Sequence, residues 1–492
     1  MFKKLSYDQF ASLTAQHKRI AVYQEIAGDK ITPVTAYLAL AQSTKDITLL
    51  ESSPKEKDTG RYSHLFIHPL ITITTFGNQI TISEQANKKH LQADPFVILK
   101  QYQQKLKAKI AHLLSKFAGG MVGYIAYDAI RLVETIPDRH ENKNNMPDIL
   151  FRFYRDTITF DHQTGKVIIA TVINSDDNPQ DAYQTATDRI NNIIEKISQA
   201  TTQQHSAVSQ HKNSSADIAI DITDKDYCAI VDQAKKHIIN GDIFQVVLSR
   251  EFSIKTASHP FEIYRALRFC NPSPYMFYLE TDDFTVAGAS PEKLITVEDG
   301  VIESRPLAGT RPRSNPANDE AVATELLSDD KEVAEHMMLV DLARNDVGAV
   351  AEPGTVKVVK LKEIEKYSRV MHISSTVQGK LHQNLSAMDA LRIAFPAGTL
   401  SGAPKIRAME IIDQLERSRR GIYGGAVCAF DSLDNLISCI VIRTVLVQNN
   451  TASIRAGAGI VFDSHGQTEA NETQHKASAT LHAIQSAMGE NI

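Results

Sequence analysis

Residues 284–306 turn back on themselves so often that they leave room for little except antiparallel sheet. The segments 284–289, 293–297 and 301–306 are too closely spaced to hold a helix between them, and Glu298-Asp299-Gly300 is a turn sequence between the last two. Residues 421–431, 437–448 and 452–462 have the same texture, joined by 431–435 and by Asn449-Asn450. Strands that follow one another through short turns run antiparallel, whereas parallel strands need a long crossover. The fold class expected is therefore α+β, a sandwich of antiparallel sheets flanked by helices in two lobes, and not a doubly wound α/β fold.

With 492 residues the chain exceeds what one hydrophobic core supports, roughly 250–300 residues. The boundary is expected at 199–222, around ATTQQHSAVSQHKNSSAD (200–217), which has no periodicity and few apolar residues and reads as a polar linker or loop. It separates an N-terminal lobe, 1–198, from a C-terminal domain, 223–492. In the first, strands are expected at 19–25, 47–51, 70–76 and 120–127, and helices at 35–42 and 181–197.

Several function classes are disfavoured by composition. Lys and Arg number 53 against 58 Asp and Glu, a net charge of −5, with no long basic run, so nucleic acid is not an expected partner. No apolar stretch approaches the ~20 residues of a membrane span, and MFKKLSYDQF carries no apolar segment of the secretory kind. Four scattered cysteines without a CxxC argue against a disulfide scaffold or a thiolate zinc site. A cytoplasmic enzyme is expected, with no membrane partner. Tryptophan is absent, where a usage near ~1% would give about five.

Three helices carry the candidate chemistry. Residues 331–344 follow Asp329 as cap, with Glu332 close to a capping-box position. Residues 404–417 open on Pro404 and carry Ile406, Met409, Ile412 and Leu415 near one face. The last helix, 469–488, turns Thr473, Ala477, Leu481, Ile484 and Met488 toward a core. The pairs Glu332/Glu335 and Glu469/Glu472 each share a helix face, the first in line with Leu339 and Leu342. Carboxylates aimed at an apolar interior must be protonated, paired or metal-bound, and an all-oxygen set suits Mg²⁺. A helix cap at Glu332 and an ion pair between Glu472 and Lys476 are the plainer readings of the same spacing. AFPAGTLSGAPK (394–405) is a Gly/Pro-rich loop running into a helix, an anion site by its N–H groups or simply a tight loop. Arg443 is read inside an apolar strand and His372 in mid-strand. An arginine so placed grips a carboxylate or an anionic ligand. By themselves these residues indicate an enzyme for a small anion.

A longer set of segments adds a resemblance. GDIFQVVLSR (241–250), NPSPYMFYL (271–279), ASPEKL (289–294), ESRPLAGTRPR (303–313), HMMLVDLARNDVG (336–348), VMHISSTVQG (370–379), FPAGTLSGAPK (395–405), GGAVCAFD (424–431), SCIVIRT (438–444), AGAGIV (456–461) and NETQHKA (471–477) are similar to the chorismate-utilising enzymes, and among them to the anthranilate synthase component I group. LLESS (49–53), GRYS (60–63) and GGMVGYIAYD (119–128) extend the likeness into the N-terminal lobe. The resemblance implies Mg²⁺-dependent formation of anthranilate and pyruvate from chorismate and an amino donor. It implies Glu335 and Glu472 as Mg²⁺ ligands, with Glu332 and Glu469 lining the site. Gly309, Thr310, Tyr423, Arg443, Gly457, Ala458, Gly459 and Lys476 would hold chorismate, and Glu292, His372 and Thr399 would be catalytic. Sibling enzymes carry a lysine where Ala308 or Gln245 stands here, and their chemistry needs that amine.

The same resemblance implies tryptophan inhibition through Leu50, Glu51, Ser52, Asn271, Pro274, Tyr275 and Met276, with Glu51 as the group for the amino end. Nothing in the sequence resembles a Cys/His/Glu glutaminase, so the partner implied is a glutamine amidotransferase subunit, component II, that supplies ammonia. The alternatives are an aminodeoxychorismate synthase-type sibling and a non-catalytic tryptophan-binding regulator.

Overall fold

Two long antiparallel strands, Tyr62–Phe76 and Ile149–Asp161, are each shared by two sheets. His68 has φ of +55° and the register slips by one residue between Pro69 and Ile71. Such a bulge bends a strand pair and increases its twist, which lets the two halves diverge. The computed structural model describes residues 2–53, 60–84, 87–110, 117–175, 178–199, 217–313, 316–366 and 370–489. Most of the expected linker, 200–216, lies outside the described residues.

One sheet runs Gln245–Lys255, Thr451–Ile460, Thr444–Gln448, Thr285–Ser290, Tyr275–Glu280 and Thr48–Glu51. It continues through the diverging pair to Lys166–Asn174 and Arg19–Ala27. The other sheet starts at Asn87–Gln92 and Gln79–Glu84 and passes through the other halves of the pair to Met121–Ile125. Ala426–Phe430, Leu436–Ile440, Lys293–Glu298, Val301–Ser304 and Val370–Lys380 follow. Val370–Lys380 also pairs with Leu307–Pro312 and Lys357–Lys366. Both sheets thus draw strands from both sides of the 199–222 segment.

Period-two alternation makes the layers. Tyr124, Val427 and Cys439 of one sheet pack against Phe277, Leu279, Val286 and Leu446 of the other, forming the sandwich interior. Their sequence neighbours Ile125, Ala426, Cys428 and Ile440 face outward into a cluster with Val340, Leu391 and Met409 from helices Asp330–Gly348, Ala387–Ala394 and Lys405–Leu415. The far face of the first sheet is covered by Pro33–Ala41, Pro179–Gln199 and Pro260–Cys270 through Leu40, Ile190, Phe261 and Leu267. The result is helices, sheet, sheet, helices, as the α+β expectation required.

Three local expectations are corrected. Residues 437–448 are not one strand: Leu436–Ile440 belongs to one sheet and Thr444–Gln448 to the other, and Arg443, with φ of +50°, stands in the corner between them. Strand Thr285–Ser290 crosses to Lys293–Glu298 beside it. Strand 421–431 shrinks to Ala426–Phe430, with turns at 421–424. Pro404 is the N-cap of Lys405–Leu415, and Ile406 is 44% exposed while Met409, Ile412 and Leu415 are buried. No helix among the described residues is long and apolar enough to cross a membrane.

Candidate active site

The paired sheet-to-sheet crossings place Glu292 next to Arg443. The amide of Ile440 donates to the Glu292 carbonyl at 3.0 Å and that of Ala289 to the Arg443 carbonyl at 3.2 Å. The Glu292 side chain accepts a 2.8 Å bond from Thr399 Oγ1. Burial pushes its carboxyl up to about 7, against the bond from Thr399 and the charges of Lys476 and Arg443, which pull it down. A carboxyl that titrates near neutrality is equipped to donate a proton.

Thr399 is held by the loop 395–404, which is shaped by close approach. A Cβ on Gly398 would lie 1.9 Å from Leu342 Cδ2, so any larger residue there must displace the Leu342 side chain of helix Asp330–Gly348. Gly402 has φ of +143° and a Cβ there would meet the Gln245 carbonyl oxygen at 2.1 Å. Ser401 Oγ donates to the Ala397 carbonyl at 2.9 Å, closing the turn.

Strand Thr451–Ile460 presents Gly457 and Gly459 on one face and buries Ala458 in the core on the other, so Ala458 contributes only backbone. A Cβ on Gly457 would come within 2.9 Å of the Tyr423 hydroxyl, and one on Gly459 within 2.8 Å of Gln245 Nε2. Lys476 Nζ donates to the Gly457 carbonyl at 3.1 Å and pairs with Glu472 at 2.6 Å. The plainer reading of Glu472 and Lys476 is therefore present, and so is a contact to the glycine strand.

Gln245 also donates to Glu335 Oε1 at 3.1 Å. Burial, and then the neighbouring Glu332, push the Glu335 carboxyl up, while Gln245, Lys476 and Lys331 pull it down. Glu469 is likewise raised by burial and by Glu472, and lowered by Ser464, Lys331 and Lys476. Glu332 accepts from Arg311 at 3.0 Å and caps nothing; Asp329 is the cap. The two rows of carboxylates thus share the lysines between them. Among the described residues no three His, Cys, Asp or Glu side chains gather as a metal cluster.

His372 lies on the strand that pairs with Leu307–Pro312, where the register slips at Gly309, with φ of +64°. Its Nδ1 is 3.0 Å from the Gly309 carbonyl and 3.0 Å from Thr310 Oγ1. The carbonyl can only accept, so Nδ1 carries the hydrogen and Nε2 the lone pair. Burial and the charge of Arg443 lower its affinity for a second proton, with Gly309 and Glu365 opposing.

Leu50, Glu51 and Met276 meet where Thr48–Glu51 pairs with Tyr275–Glu280, and Ser53 N donates to the Ser273 carbonyl at 3.1 Å. Pro274 and Ser52 are buried beside them and Tyr275 opens the strand. Asn271 Oδ1 accepts from Arg443 Nη1 at 3.5 Å, joining this cluster to the corner. The Glu51 oxygens accept from Tyr264 at 2.6 Å and from Arg268 Nη2 at 2.9 Å, and Arg268 Nε completes the ion pair at 2.8 Å, so the charge of Glu51 is already answered.

Sequence reasoning missed Gln245 as a working side chain, since it weighed only the lysine that is absent there. It also passed over Glu416, Arg420 and Arg455, a buried set whose charged run ERSRR resembles solvated surface. An (i, i+4) Glu–Arg pair running into Gly421 was the available signal.

A family model described as chorismate binding enzyme matches residues 46–482. The chain belongs to the chorismate binding enzyme family. Within it, anthranilate synthase component 1 of Acetivibrio thermocellus is 41% identical over 486 residues, covering 98% of each chain. That of Pseudomonas aeruginosa is 40% identical over 489 residues, again covering 98% of each. The crystal structure of anthranilate synthase component I from Streptococcus pneumoniae superposes with a TM-score of 0.76 at 34% identity, over 92% of this chain and 98% of that one. The menaquinone-specific isochorismate synthase from Escherichia coli, 18% identical with a TM-score of 0.71 over 97% and 99%, shares the fold.

Proposed function

We propose that this chain converts chorismate and ammonia into anthranilate, pyruvate and water, in a Mg²⁺-dependent reaction inhibited by tryptophan, the first step toward that amino acid. Full-length relatives of that name support the reaction. The observation that carries it is Glu292, raised to about 7 against Thr399 in a corner with Arg443. Ala308 and Gln245 support ammonia as nucleophile over lysine or lysine-activated water.

In this reading Arg443 and Lys476 offset chorismate's carboxylates, and Gly457, Gly459, Gly309 and Thr310 form walls without bulk, with Tyr423 over the glycine strand. As ammonia adds at C2 the ring double bonds shift and the C4–O bond breaks, and Glu292 delivers the proton that makes the departing hydroxyl water. The proton shed by the new ammonium group restores Glu292. His372, through Nε2, then takes the C2 proton as the C3–O bond breaks, and the enolpyruvate released takes up a proton to become pyruvate.

Glu335 and Glu472 would hold Mg²⁺, with Glu332 and Glu469 beside them. Glu335 and Glu469, each raised by burial and then by a neighbouring carboxylate, fit a divalent cation between the two helices, and Mg²⁺ needs only one or two carboxylates from the protein. When bound, it would neutralise and polarise the ring carboxylate. The name component 1 in the relatives supports a second subunit that releases ammonia from glutamine. The strand pairing of Glu51 with Met276 and the Asn271–Arg443 bond support an effector site coupled to the corner.

The test is purified chain with chorismate and ammonium, followed by anthranilate fluorescence with and without Mg²⁺ and tryptophan. Mg²⁺-dependent, tryptophan-suppressed fluorescence is expected; chorismate consumed without fluorescence would overturn the reading.

A further inference from the structure

Arg420 is a charged side chain held in the interior beside this site. It is 5% exposed and its partner Glu416 is 3% exposed. Arg420 Nη1 donates to the Leu400 carbonyl at 2.6 Å and Nη2 to the Val247 carbonyl at 2.6 Å. Nε and Nη2 fork onto Glu416 at 3.0 and 2.5 Å. Glu416 in turn accepts from Ser249 N at 2.7 Å and Ser249 Oγ at 2.8 Å, with Arg455 Nη1 at 3.4 Å. The guanidinium lies 4.6 Å from the Tyr127 ring and 5.6 Å from that of Tyr423. Buried charges survive only where nearly every donor and acceptor is satisfied, and this pair spends its bonds on site-bearing backbone.

Those backbone atoms are specific. Leu400 follows Thr399, the donor to Glu292. Val247 and Ser249 pair with Gly459 and Gly457, and Gln245, on the same strand, holds Glu335. Tyr423 closes over Gly457. One guanidinium–carboxylate fork therefore joins the loop of the proposed acid's partner, the strand behind the proposed substrate glycines and the ring above them. None of the bonds it makes is to a side chain assigned to chorismate or to Mg²⁺.

We infer that Arg420 and Glu416 are positioning residues, which fix Thr399 on Glu292 and set strand Gln245–Lys255 against Gly457 and Gly459. The inference rests on Glu292 as the acid of the proposed reaction. Its consequence has a sign. Thr399 holds the Glu292 carboxyl down, against burial, so loosening the loop lets it rise, and the limb on which activity is lost with rising pH moves upward. The other groups acting on Glu292, Lys476, Arg443 and the Tyr423 ring, stay in the chain.

The test compares the intact chain with Arg420→Lys, which keeps charge but not the fork, and with the charge-free double variant Arg420→Met/Glu416→Gln. Both should lose about tenfold or more in kcat, with the alkaline limb raised by about half a unit or more. Asp156→Asn, at a buried carboxylate that pairs with His68 and Arg155 toward the other end of the first sheet, should lower the melting temperature without moving that limb. The displacement is also read without turnover, as the pH at which unfolding of each chain diverges from that of its Glu292→Gln derivative. A wild-type limb in both variants, or one fully restored by lysine, overturns the inference. An intact chain that makes no anthranilate overturns the proposed reaction instead, and the unfolding comparison still decides the role of Arg420.

Discussion

Replacing Glu292 by glutamine should make the protein inactive and, at alkaline pH, more stable. The carboxyl rises from its ordinary 4.5 to about 7 on folding, chiefly through burial. Between those values the folded chain keeps a proton that the unfolded chain sheds, so stability falls as pH rises through the interval and levels off once Glu292 ionises in the folded state. At about 1.36 kcal/mol per unit the loss approaches ~3 kcal/mol. Glutamine keeps the shape and the acceptor for Thr399 but has nothing to ionise. Urea unfolding of both chains at about pH 5 and about pH 8.5 isolates this one group, because every other titration is common to the two. The stability difference should shift by about 2–3 kcal/mol in favour of glutamine between the two conditions, while kcat falls by about a hundredfold or more. A difference that is the same at both pH values would refute the argument that burial holds this acid ready.

The remaining predictions concern the metal, the loop and the effector. Glu335→Gln and Glu472→Gln should each abolish Mg²⁺-dependent anthranilate formation, read as the loss of saturation when Mg²⁺ is titrated; unchanged titration curves would reassign the ligands. Gly398→Ala drives a methyl to 1.9 Å from Leu342 Cδ2 and should cost about tenfold or more in kcat. The added Leu342→Ala should recover part of it, and absence of any recovery would count against the contact. Ser52→Phe should raise the tryptophan concentration needed for half inhibition by about tenfold and leave turnover intact, whereas unchanged inhibition would place the effector elsewhere.

The sandwich was legible because closely spaced strands leave antiparallel sheet as the only economical pairing. Its corners were not. The run SCIVIRTVLV is apolar on both faces in both sheets, so nothing in its pattern marks the crossing at Arg443. Only half of Tyr62–Phe76 was expected as strand, since the bulge at His68 and Pro69 interrupts the alternation. Ile406 was assigned inward by helical spacing alone and faces solvent. The candidate residues came from motif resemblance, and the folded chain brings them into one region: Glu292 with Thr399 and Arg443, Tyr423 with Gly457, Gly309 with His372. What resemblance could not supply was their support. A charged run such as ERSRR gives no sign that Arg420 and Glu416 are buried, because that depends on carbonyls from Val247 and Leu400, far away in sequence. Glu51 shows the converse: a carboxylate in the expected place whose charge two distant residues, Tyr264 and Arg268, have already claimed.

The most direct test of the central claim is to give the chain alone chorismate, Mg²⁺ and ¹⁵N-labelled ammonium and to weigh the aromatic product. Anthranilate carrying the heavy nitrogen, with an equal amount of pyruvate, is the result this account requires. A product in which oxygen from water stands in place of nitrogen would contradict it.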